Sequence, residues 1–413
     1  MNKAIVVGVN INKQNDFEEL LAELKNLALA CEIDVIAEVV QNVNEINAKY
    51  YLGSGKVEEI ARAIEINNAD CVIFDNELSP TQLRNLAKII DVEILDRTTL
   101  ILQIFKTRAK TQEAKLQVEI ARIKYLMPRL IGLNTNSDKQ QGGGSINRGA
   151  GETQLSLDRR KLEKQIHLLN KDLEKVVAKR AVQRKKRHKS QLPLVALVGY
   201  TNAGKSSIMN YFLENSKEEN DKSVLAKDML FATLDTTVRR IGLANNREFL
   251  LIDTVGFINK LPHELIKAFR STLEEVVEAD LILHIVDVAN ENHQQHIEVT
   301  NETLAYLGVS DTPIIVVNNK SDLLGDSVID SKACYVSSLT GWNMSELLEL
   351  IENKLFTDYL DVQFLIPYDK SNIISYFKQH GLVEVIKQTE LGTIIKTNCK
   401  KSDFNKYKKY YLK

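Results

Sequence analysis

One segment of the sequence restricts the fold to an α/β sheet with a phosphate site. Residues 199–206 fit the pattern G-x-x-x-x-G-K-[ST]. An apolar run of buried-strand type, residues 194–198, precedes the pattern, and a helix-forming run, residues 206–213, follows it. The backbone N–H groups of such a loop and the dipole of the helix favour a bound phosphate. The predicted phosphate contacts are Gly199, Tyr200, Thr201, Asn202, Ala203, Gly204, Lys205, which reaches the outer phosphates, and Ser206, whose hydroxyl binds Mg²⁺.

A second motif indicates which base is bound. Residues 319–322 form the N-K-x-D arrangement of guanine-specific GTPases, at the carboxyl end of a buried-strand run, residues 313–318. The Asp322 carboxylate can accept paired hydrogen bonds from the ring N–H and the exocyclic amine of guanine. Adenine offers neither group in that geometry, so it would leave the carboxylate unpaired. The predicted guanine contacts are Asn319, Lys320, Ser321 and Asp322.

Two further motifs support this assignment through their order and spacing. A D-x-x-G sequence, which holds Mg²⁺ through water and senses the γ-phosphate, follows a strand at residues 248–252. A loop resembling the S-A-[KL] sequence that backs the guanine comes before an amphipathic helix. Four motifs at strand ends fit an open α/β sheet, whose ligands bind beyond the carboxyl ends of its strands. The residues concerned are Asp253, Thr254, Val255 and Gly256, and then Ser337, Ser338 and Leu339.

The composition predicts a soluble, cytoplasmic chain with several domains. Its 413 residues suggest two to four domains, and 44% hydrophobic and 26% charged residues are ordinary for globular protein. The net charge of −1 hides a basic run at residues 179–189 and a lysine-rich tail at residues 396–413. Such patches favour phosphate-rich partners, although a solvated helix end and a frayed terminus are the alternatives.

The remaining composition argues against other classes of protein. The four cysteines lack C-x-x-C spacing, which indicates reduced thiols and neither a zinc site nor a disulfide framework. No apolar stretch approaches the roughly 20 residues of a membrane span, so we expect no stable membrane insertion.

Strands and helices alternate over residues 1–105, which predicts a small parallel α/β sheet. Within it, residues 53–56 (G-S-G-K) open a helix and could bind an anion such as ATP, with a plain glycine turn as the alternative. Two long amphipathic helices should follow as an antiparallel hairpin. Their apolar stripes are Leu116, Ile120, Ile123 and Met127, and then Leu162, Ile166, Leu169, Leu173 and Val176.

The loop between these helices, residues 140–151, is rich in glycine and carries one charge, Arg148. Such a loop cannot bury much apolar surface and is conformationally permissive. At the tip of a long hairpin it suits insertion among folded RNA, where arginine pairs with phosphate or stacks on bases. A disordered linker is the alternative.

Several segments together resemble the HflX family of bacterial GTPases over residues 1–360. They are Y-L-G-S-G-K-V at 51–57, D-R-T at 96–98, E-A-K-L-Q at 113–117, G-A-G-E-T-Q-L at 149–155 with D-R-R at 158–160, and F-A-T-L-D at 231–235. We expect an N-terminal α/β domain (1–108), a helical hairpin (109–190), a P-loop GTPase domain (191–358) and a small C-terminal α/β region (359–413). The resemblance implies a GTPase that binds the large ribosomal subunit and helps to separate stalled or stressed ribosomes. A ribosome-assembly or RNA-binding GTPase that uses GTP only as a binding switch is the alternative, and we expect a monomer.

The resemblance assigns further roles by position. The segment Phe231, Ala232, Thr233, Leu234 and Asp235 contacts the nucleotide, and Ser206 and Thr233 bind Mg²⁺. The implied catalytic set is Lys205, Thr233, Gly256 and Asn202. The chain departs from the family where Thr236 and Ala150 replace proline, which loosens loops that proline would stiffen. It also carries Ser338 where alanine is usual beside guanine.

The residue after D-x-x-G bears on how water is activated. Many GTPases carry a glutamine there, which orients the attacking water. Here the position is Phe257, whose side chain cannot hydrogen-bond, so unaided hydrolysis should be slow. Asn202 occupies the loop position that, in GTPases of similar pattern, helps to hold K⁺ against the phosphates. Such a cation would offset the charge of the transition state.

Overall fold

The computed structural model of the chain describes residues 2–12, 14, 16–134, 148–189, 192–216, 231, 237–243, 247–260, 275–324, 333–380 and 383–412. These residues form three sheets and the helices packed on them, which confirms the predicted α/β class. In this part of the chain no helix has both the length and the apolar character of a membrane span. The division of the chain into domains at residues 108, 190 and 358 stays a prediction.

The N-terminal unit, residues 2–108, contains a parallel sheet. Its strands are β1 (Asn2–Ile11), β2 (Ile33–Val43), β3 (Cys71–Phe74) and β4 (Glu93–Asp96), and its helices are α1 (Phe17–Ala30), α2 (Ser54–Asn67), α3 (Pro80–Leu86) and α4 (Arg97–Arg108). The strand order is β2-β1-β3-β4. Strand β1 is buried on both faces, because Ala4 and Val6 belong to one apolar core and Ile5 and Val7 to the other.

Helix α4 was not predicted from the sequence. It begins directly after β4, without a connecting loop. Asp96 forms the N-cap, and its side chain accepts a hydrogen bond of 2.9 Å from the Thr99 N–H group. This cap is the local signal that identifies the helix.

The two predicted long helices are α5 (Gln112–Asn134) and α6 (Arg148–Lys189), and they contact each other. The predicted stripe of α5 is buried at Ile120 and Ile123. The opposite face of α5 packs Ala114 and Val118 into the core of the N-terminal unit, a contact that the stripe did not indicate. Residues 148–151 are helical, so they do not belong to the loop predicted at 140–151, because the helix begins earlier than its apolar pattern. The rest of that loop lies outside the described residues.

The central unit, residues 192–355, contains the sheet that carries the motifs. Within the described residues its strands are β5 (Leu194–Gly199), β6 (Thr237–Gly242), β7 (Glu248–Asp253), β8 (Leu281–Asp287), β9 (Ile314–Asn319) and β10 (Cys334–Tyr335), and its helices include α7 (Lys205–Glu214), α8 (His293–Leu307) and α9 (Met344–Leu355). The order is β10-β9-β8-β5-β7-β6. All neighbours are parallel except the edge strand β6, which was not predicted and runs antiparallel to β7.

The C-terminal unit, residues 359–412, is an antiparallel sheet with helices. Its elements are β11 (Tyr359–Ile366), α10 (Ser371–His380), β12 (Val383–Thr389), β13 (Gly392–Lys400), α11 (Lys401–Tyr407) and β14 (Tyr411–Leu412), and the strand order is β12-β13-β11-β14. Phe364, Phe377 and Ile395 lie in its core. The Arg247 guanidinium lies 4.3 Å from the centre of the Tyr359 ring, which connects the central unit to this sheet.

The N-terminal and central units share one apolar core. This core contains Leu24 and Phe105 from the first unit and Tyr200 and Phe257 from the loops of the second. The rings of Phe105 and Phe231 meet edge to face with centres 4.7 Å apart. The phosphate loop is therefore packed against the N-terminal unit as well as against its own sheet.

Candidate nucleotide site

The phosphate loop joins β5 to α7, as its pattern predicts. Gly204 adopts φ +96°, and a Cβ atom there would lie 2.1 Å from the Asn319 side-chain nitrogen. Only glycine fits this combination of backbone angle and close approach. The Thr201 hydroxyl is buried and has no hydrogen-bond partner among the described residues. A phosphate oxygen in the loop would provide that partner.

Lys205 lies beneath the loop, buried from solvent. Its ammonium donates to the carbonyl oxygens of Gly199 at 3.0 Å and Tyr200 at 2.7 Å. An ammonium has three protons, so one is left for a ligand beyond these contacts. Burial lowers the pKa of Lys205 to about 8, and the nearby Asp253 carboxylate offsets part of that shift. A bound phosphate would favour the charged form again.

Ser206 and Asp253 meet at the outer end of the loop. The Ser206 hydroxyl donates to the Asp253 carboxylate over 2.6 Å, and Asp253 is fully buried at the end of β7. Thr254 is anchored by its hydroxyl, which donates to the Leu197 carbonyl oxygen at 2.7 Å. The Ser206 hydroxyl and the Asp253 carboxylate are hard oxygen ligands that lie side by side, which is the type of ligand that Mg²⁺ selects.

The D-x-x-G segment lies directly against the loop. A Cβ atom on Gly256 would be 2.8 Å from the Thr201 Cα atom and 3.0 Å from the Lys205 ammonium nitrogen. Two backbone hydrogen bonds fix this approach. The Thr201 N–H group donates to the Phe257 carbonyl oxygen at 2.7 Å, and the Phe257 N–H group donates to the Gly199 oxygen at 3.1 Å. Val255 and the Phe257 side chain are buried in the core shared with the N-terminal unit.

Asn319 joins the phosphate loop to the guanine motifs. Its side chain donates to the Ala203 carbonyl oxygen at 2.9 Å and accepts from the Ser338 N–H group at 3.0 Å. The Ser321 hydroxyl donates to the Val336 carbonyl oxygen at 2.6 Å, which attaches the N-K-x-D turn to the following strand. Asp322 is exposed, so its carboxylate is accessible to a ligand.

Lys320 and the serine loop, residues 337–339, complete this side of the site. Lys320 has a left-handed backbone with φ +63°, and its ammonium pairs with the Asp287 carboxylate at 2.7 Å. Ser337 is buried, and its hydroxyl accepts from the Thr340 N–H group at 3.2 Å. Leu339 is 86% exposed.

The structure brings together the phosphate loop, D-x-x-G, N-K-x-D and the serine loop. Ala232, Thr233, Leu234 and Asp235 lie outside the described residues, as does Thr236. Phe231 packs against Phe105 of the N-terminal unit.

Sequence reasoning missed one residue of this site, Asp287, and one side-chain contact, that of Tyr200 with the N-terminal unit. Asp287, which orients Lys320, ends a buried parallel strand, and that position is a signal for a site residue. The Tyr200 side chain, which contacts the N-terminal unit, gives no comparable signal because its partner Glu23 is 177 residues away.

The glycine turn at residues 53–56 has local partners of its own. The Gly53 N–H group donates to the Gln41 side chain at 3.1 Å, and the Lys56 ammonium pairs with Glu59 at 2.8 Å. Local neutralisation of Lys56 favours the structural alternative. ATP binding by this unit stays a hypothesis.

Three family models match successive parts of the chain. A model described as "GTP-binding GTPase N-terminal" matches residues 18–106, "GTP-binding GTPase Middle Region" matches residues 108–187, and "50S ribosome-binding GTPase" matches residues 194–320.

Similar proteins cover nearly the whole chain. GTPase HflX of Caldanaerobacter subterraneus is 43% identical over 397 residues, which are 95% of this chain and 90% of that protein. GTPase HflX of Escherichia coli is 37% identical over 400 residues, which are 95% of this chain and 92% of that protein. A solved GTP-binding protein of Sulfolobus solfataricus in complex with GDP is 24% identical with a TM-score of 0.43, covering 86% of this chain and 98% of that one.

Because the Lys205 charge is buried, we expect it to lower the stability of the nucleotide-free protein. Its pKa falls from 10.5 to about 8, which corresponds to about 3 kcal/mol against the charged form. The carbonyl oxygens that Lys205 contacts keep backbone donors without it, namely the N–H groups of Phe257 and Ala203. Lys205→Met should therefore raise the free energy of unfolding of the nucleotide-free protein by about 1 to 3 kcal/mol at pH 7, while nucleotide binding is lost.

The stability difference between the two proteins should also change with pH in a defined direction, which urea denaturation can measure. Between pH 8 and 10.5 the unfolded chain holds a proton on Lys205 that the folded protein has released. The destabilisation by Lys205 is therefore greatest below pH 8 and fades as the pH rises to 10.5. The advantage of the Lys205→Met protein should shrink over the same range. A variant no more stable than the natural protein at pH 7 would contradict the prediction.

Proposed function

This chain belongs to the HflX family of GTPases, and on that basis we propose that it is a GTP-hydrolysing factor of the ribosome. It binds the large subunit through ribosomal RNA and promotes the splitting of stalled or stressed ribosomes, as a monomer in the cytoplasm. The hydrolysis converts GTP to GDP and phosphate, and the large subunit stimulates it.

The observation that carries the nucleotide assignment is the position of Asn319. One side chain contacts both the phosphate loop at Ala203 and the serine loop at Ser338. A nucleotide, with a phosphate chain at one end and a base at the other, would reach both loops. The exposed Asp322 carboxylate then selects guanine through its ring N–H and amine.

The residues present also fit Mg²⁺. Ser206 and Asp253 provide oxygen donors beside the loop, and Thr233 is the proposed third contributor. When bound, Mg²⁺ neutralises charge on the phosphates. The chain itself supplies the Lys205 ammonium and the Gly256 backbone N–H group, which would contact the outer phosphates.

Hydrolysis by the isolated protein should be slow. The Phe257 side chain is buried in the core shared with the N-terminal unit, so it presents no group that could orient water. Asn202 is exposed on the loop with a left-handed backbone, φ +64°. We propose that its side-chain oxygen holds K⁺ beside the phosphates.

The ribosomal partner is supported by the match to the family described as "50S ribosome-binding GTPase". The basic run at residues 179–189 lies at the end of α6, where it suits contact with RNA phosphates. The second candidate function is ribosome assembly or RNA binding, with GTP as a binding switch only.

The proposed K⁺ site predicts a cation preference. GTP hydrolysis by the natural protein should be several-fold faster in K⁺ than in Na⁺ at equal ionic strength, measured as phosphate release. Asn202→Gly should lose this preference, because it removes the amide oxygen and retains a residue that accepts φ +64°. Asn215→Gly, at the end of α7, is the matched control and should keep the K⁺ response. Full K⁺ stimulation of the Asn202→Gly protein would exclude this role.

The proposed function predicts that the protein with GTP separates 70S ribosomes into subunits, observed as a fall in light scattering. The protein with GDP, and the Lys205→Met protein with GTP, should leave the scattering unchanged. Binding to the large subunit without any separation would favour the assembly or switch alternative. Absence of both binding and separation would reject the ribosomal assignment.

A further inference from the structure

A group of four charges, three of them buried and the fourth, Lys260, exposed, connects the N-terminal unit to the segment that follows D-x-x-G. The Arg97 guanidinium donates to Glu23 at 2.6 Å and to Asp75 at 3.0 Å. The second oxygen of Asp75 pairs with the Lys260 ammonium of the central unit at 2.6 Å. Two carboxylates and two cations make the group neutral, and Asp75 is only 1% exposed.

The same group reaches the phosphate loop through Tyr200. The Tyr200 hydroxyl donates to the second oxygen of Glu23 at 2.6 Å and accepts from the Asn259 N–H group at 2.8 Å. Burial and the Glu23 carboxylate both raise the pKa of Tyr200, so the hydroxyl keeps its proton and remains a donor. The N-terminal unit therefore contacts both Tyr200, in the phosphate loop, and Lys260, which follows D-x-x-G.

These contacts hold the residues that follow Gly256 in the chain. Gly256 itself lies against Thr201 of the phosphate loop and close to Lys205, and Phe257 to Lys260 come directly after it. Movement of the segment from Phe257 to Lys260 would separate Lys260 from Asp75 and leave a buried carboxylate with one cation fewer. Breaking such a pair is unfavourable, so the charge group resists the movement.

We propose that Glu23 and Asp75 are positioning residues for the γ-phosphate of GTP, acting through Tyr200 and Lys260 on Gly256. This inference rests on the proposed GTPase function and adds to it a means of distinguishing GTP from GDP. A γ-phosphate is the group that D-x-x-G contacts, and switch segments are ordered by it. When the N-terminal unit already orders the segment, GTP binds without the entropic cost of ordering it. GDP makes no such contact and gains nothing from the arrangement.

Other contacts hold the two units together without reaching the segment after D-x-x-G. The Gln295 side chain donates to Asp16 at 2.8 Å, and the Asn290 side chain donates to Glu19 at 3.2 Å. His296 lies 3.0 Å from Glu19. Loss of one contact to Lys260 or Tyr200 should therefore leave the units associated. A change in nucleotide affinity would then reflect lost positioning and not separation of the two units.

The test compares the affinities of the full-length protein for a fluorescent GDP and for a fluorescent non-hydrolysable GTP analogue. Lys260→Met should weaken binding of the GTP analogue by about tenfold and change GDP binding by less than about twofold, since a charged hydrogen bond to the buried Asp75 carboxylate is at stake. Lys260→Arg retains a cation that can pair with Asp75 and should restore most of the affinity for the GTP analogue. Gln295→Ala removes a contact between the same two units and should leave both affinities unchanged.

Each outcome has a distinct meaning. Equal losses for GDP and the GTP analogue, or no loss for either, would overturn the positioning role, and so would failure of Lys260→Arg to restore binding. Melting curves of every variant check that the chain is folded. If the natural protein bound neither nucleotide, the proposed function itself would fail. A natural protein that binds both, with an unchanged ratio in the variants, would reject the positioning role alone.

Discussion

The phosphate loop depends on a positive charge that the fold keeps out of water. Lys205 is buried beneath the loop, where its ammonium contacts the backbone oxygens of Gly199 and Tyr200. A charge in such surroundings interacts strongly with an anion, because little water screens it. Carbonyl groups and the Asp253 carboxylate around Lys205 offset the cost of its burial in part. Affinity for phosphate and stability of the free protein are therefore opposed at this site.

The nucleotide loops are shaped by more than their own sheet. The Tyr200 ring stacks on His296 with centres 3.7 Å apart, while its hydroxyl reaches Glu23 in α1. Phe257, directly after D-x-x-G, lies in the core that the two units share. A site built in this way cannot change its conformation without changing the contact with the N-terminal unit. The chain thus has a physical route by which the bound nucleotide could affect the unit that precedes the loop.

The sequence predicts those parts of the site that depend on local chemistry. The G-x-x-x-x-G-K-S pattern, N-K-x-D and D-x-x-G identify backbone turns and polar groups at strand ends, and the sheet brings them together as expected. Contacts that depend on packing between distant segments could not be predicted in the same way. The bond from Tyr200 to Glu23 and the pair of Lys260 with Asp75 join residues far apart in sequence. Helix α4 and strand β6 were missed because one follows a strand without a loop and the other is an edge strand.

The central claim is that a guanine nucleotide in this site drives the separation of ribosomes. Asp322→Asn tests it directly, because an amide can donate to the C2 oxygen of xanthine where the carboxylate could not. The measurement is the light scattering of 70S ribosomes with the Asp322→Asn protein and either nucleoside triphosphate. The account predicts splitting with xanthosine triphosphate and little with GTP, the reverse of the natural protein. Splitting that does not follow this change of nucleotide would contradict the account.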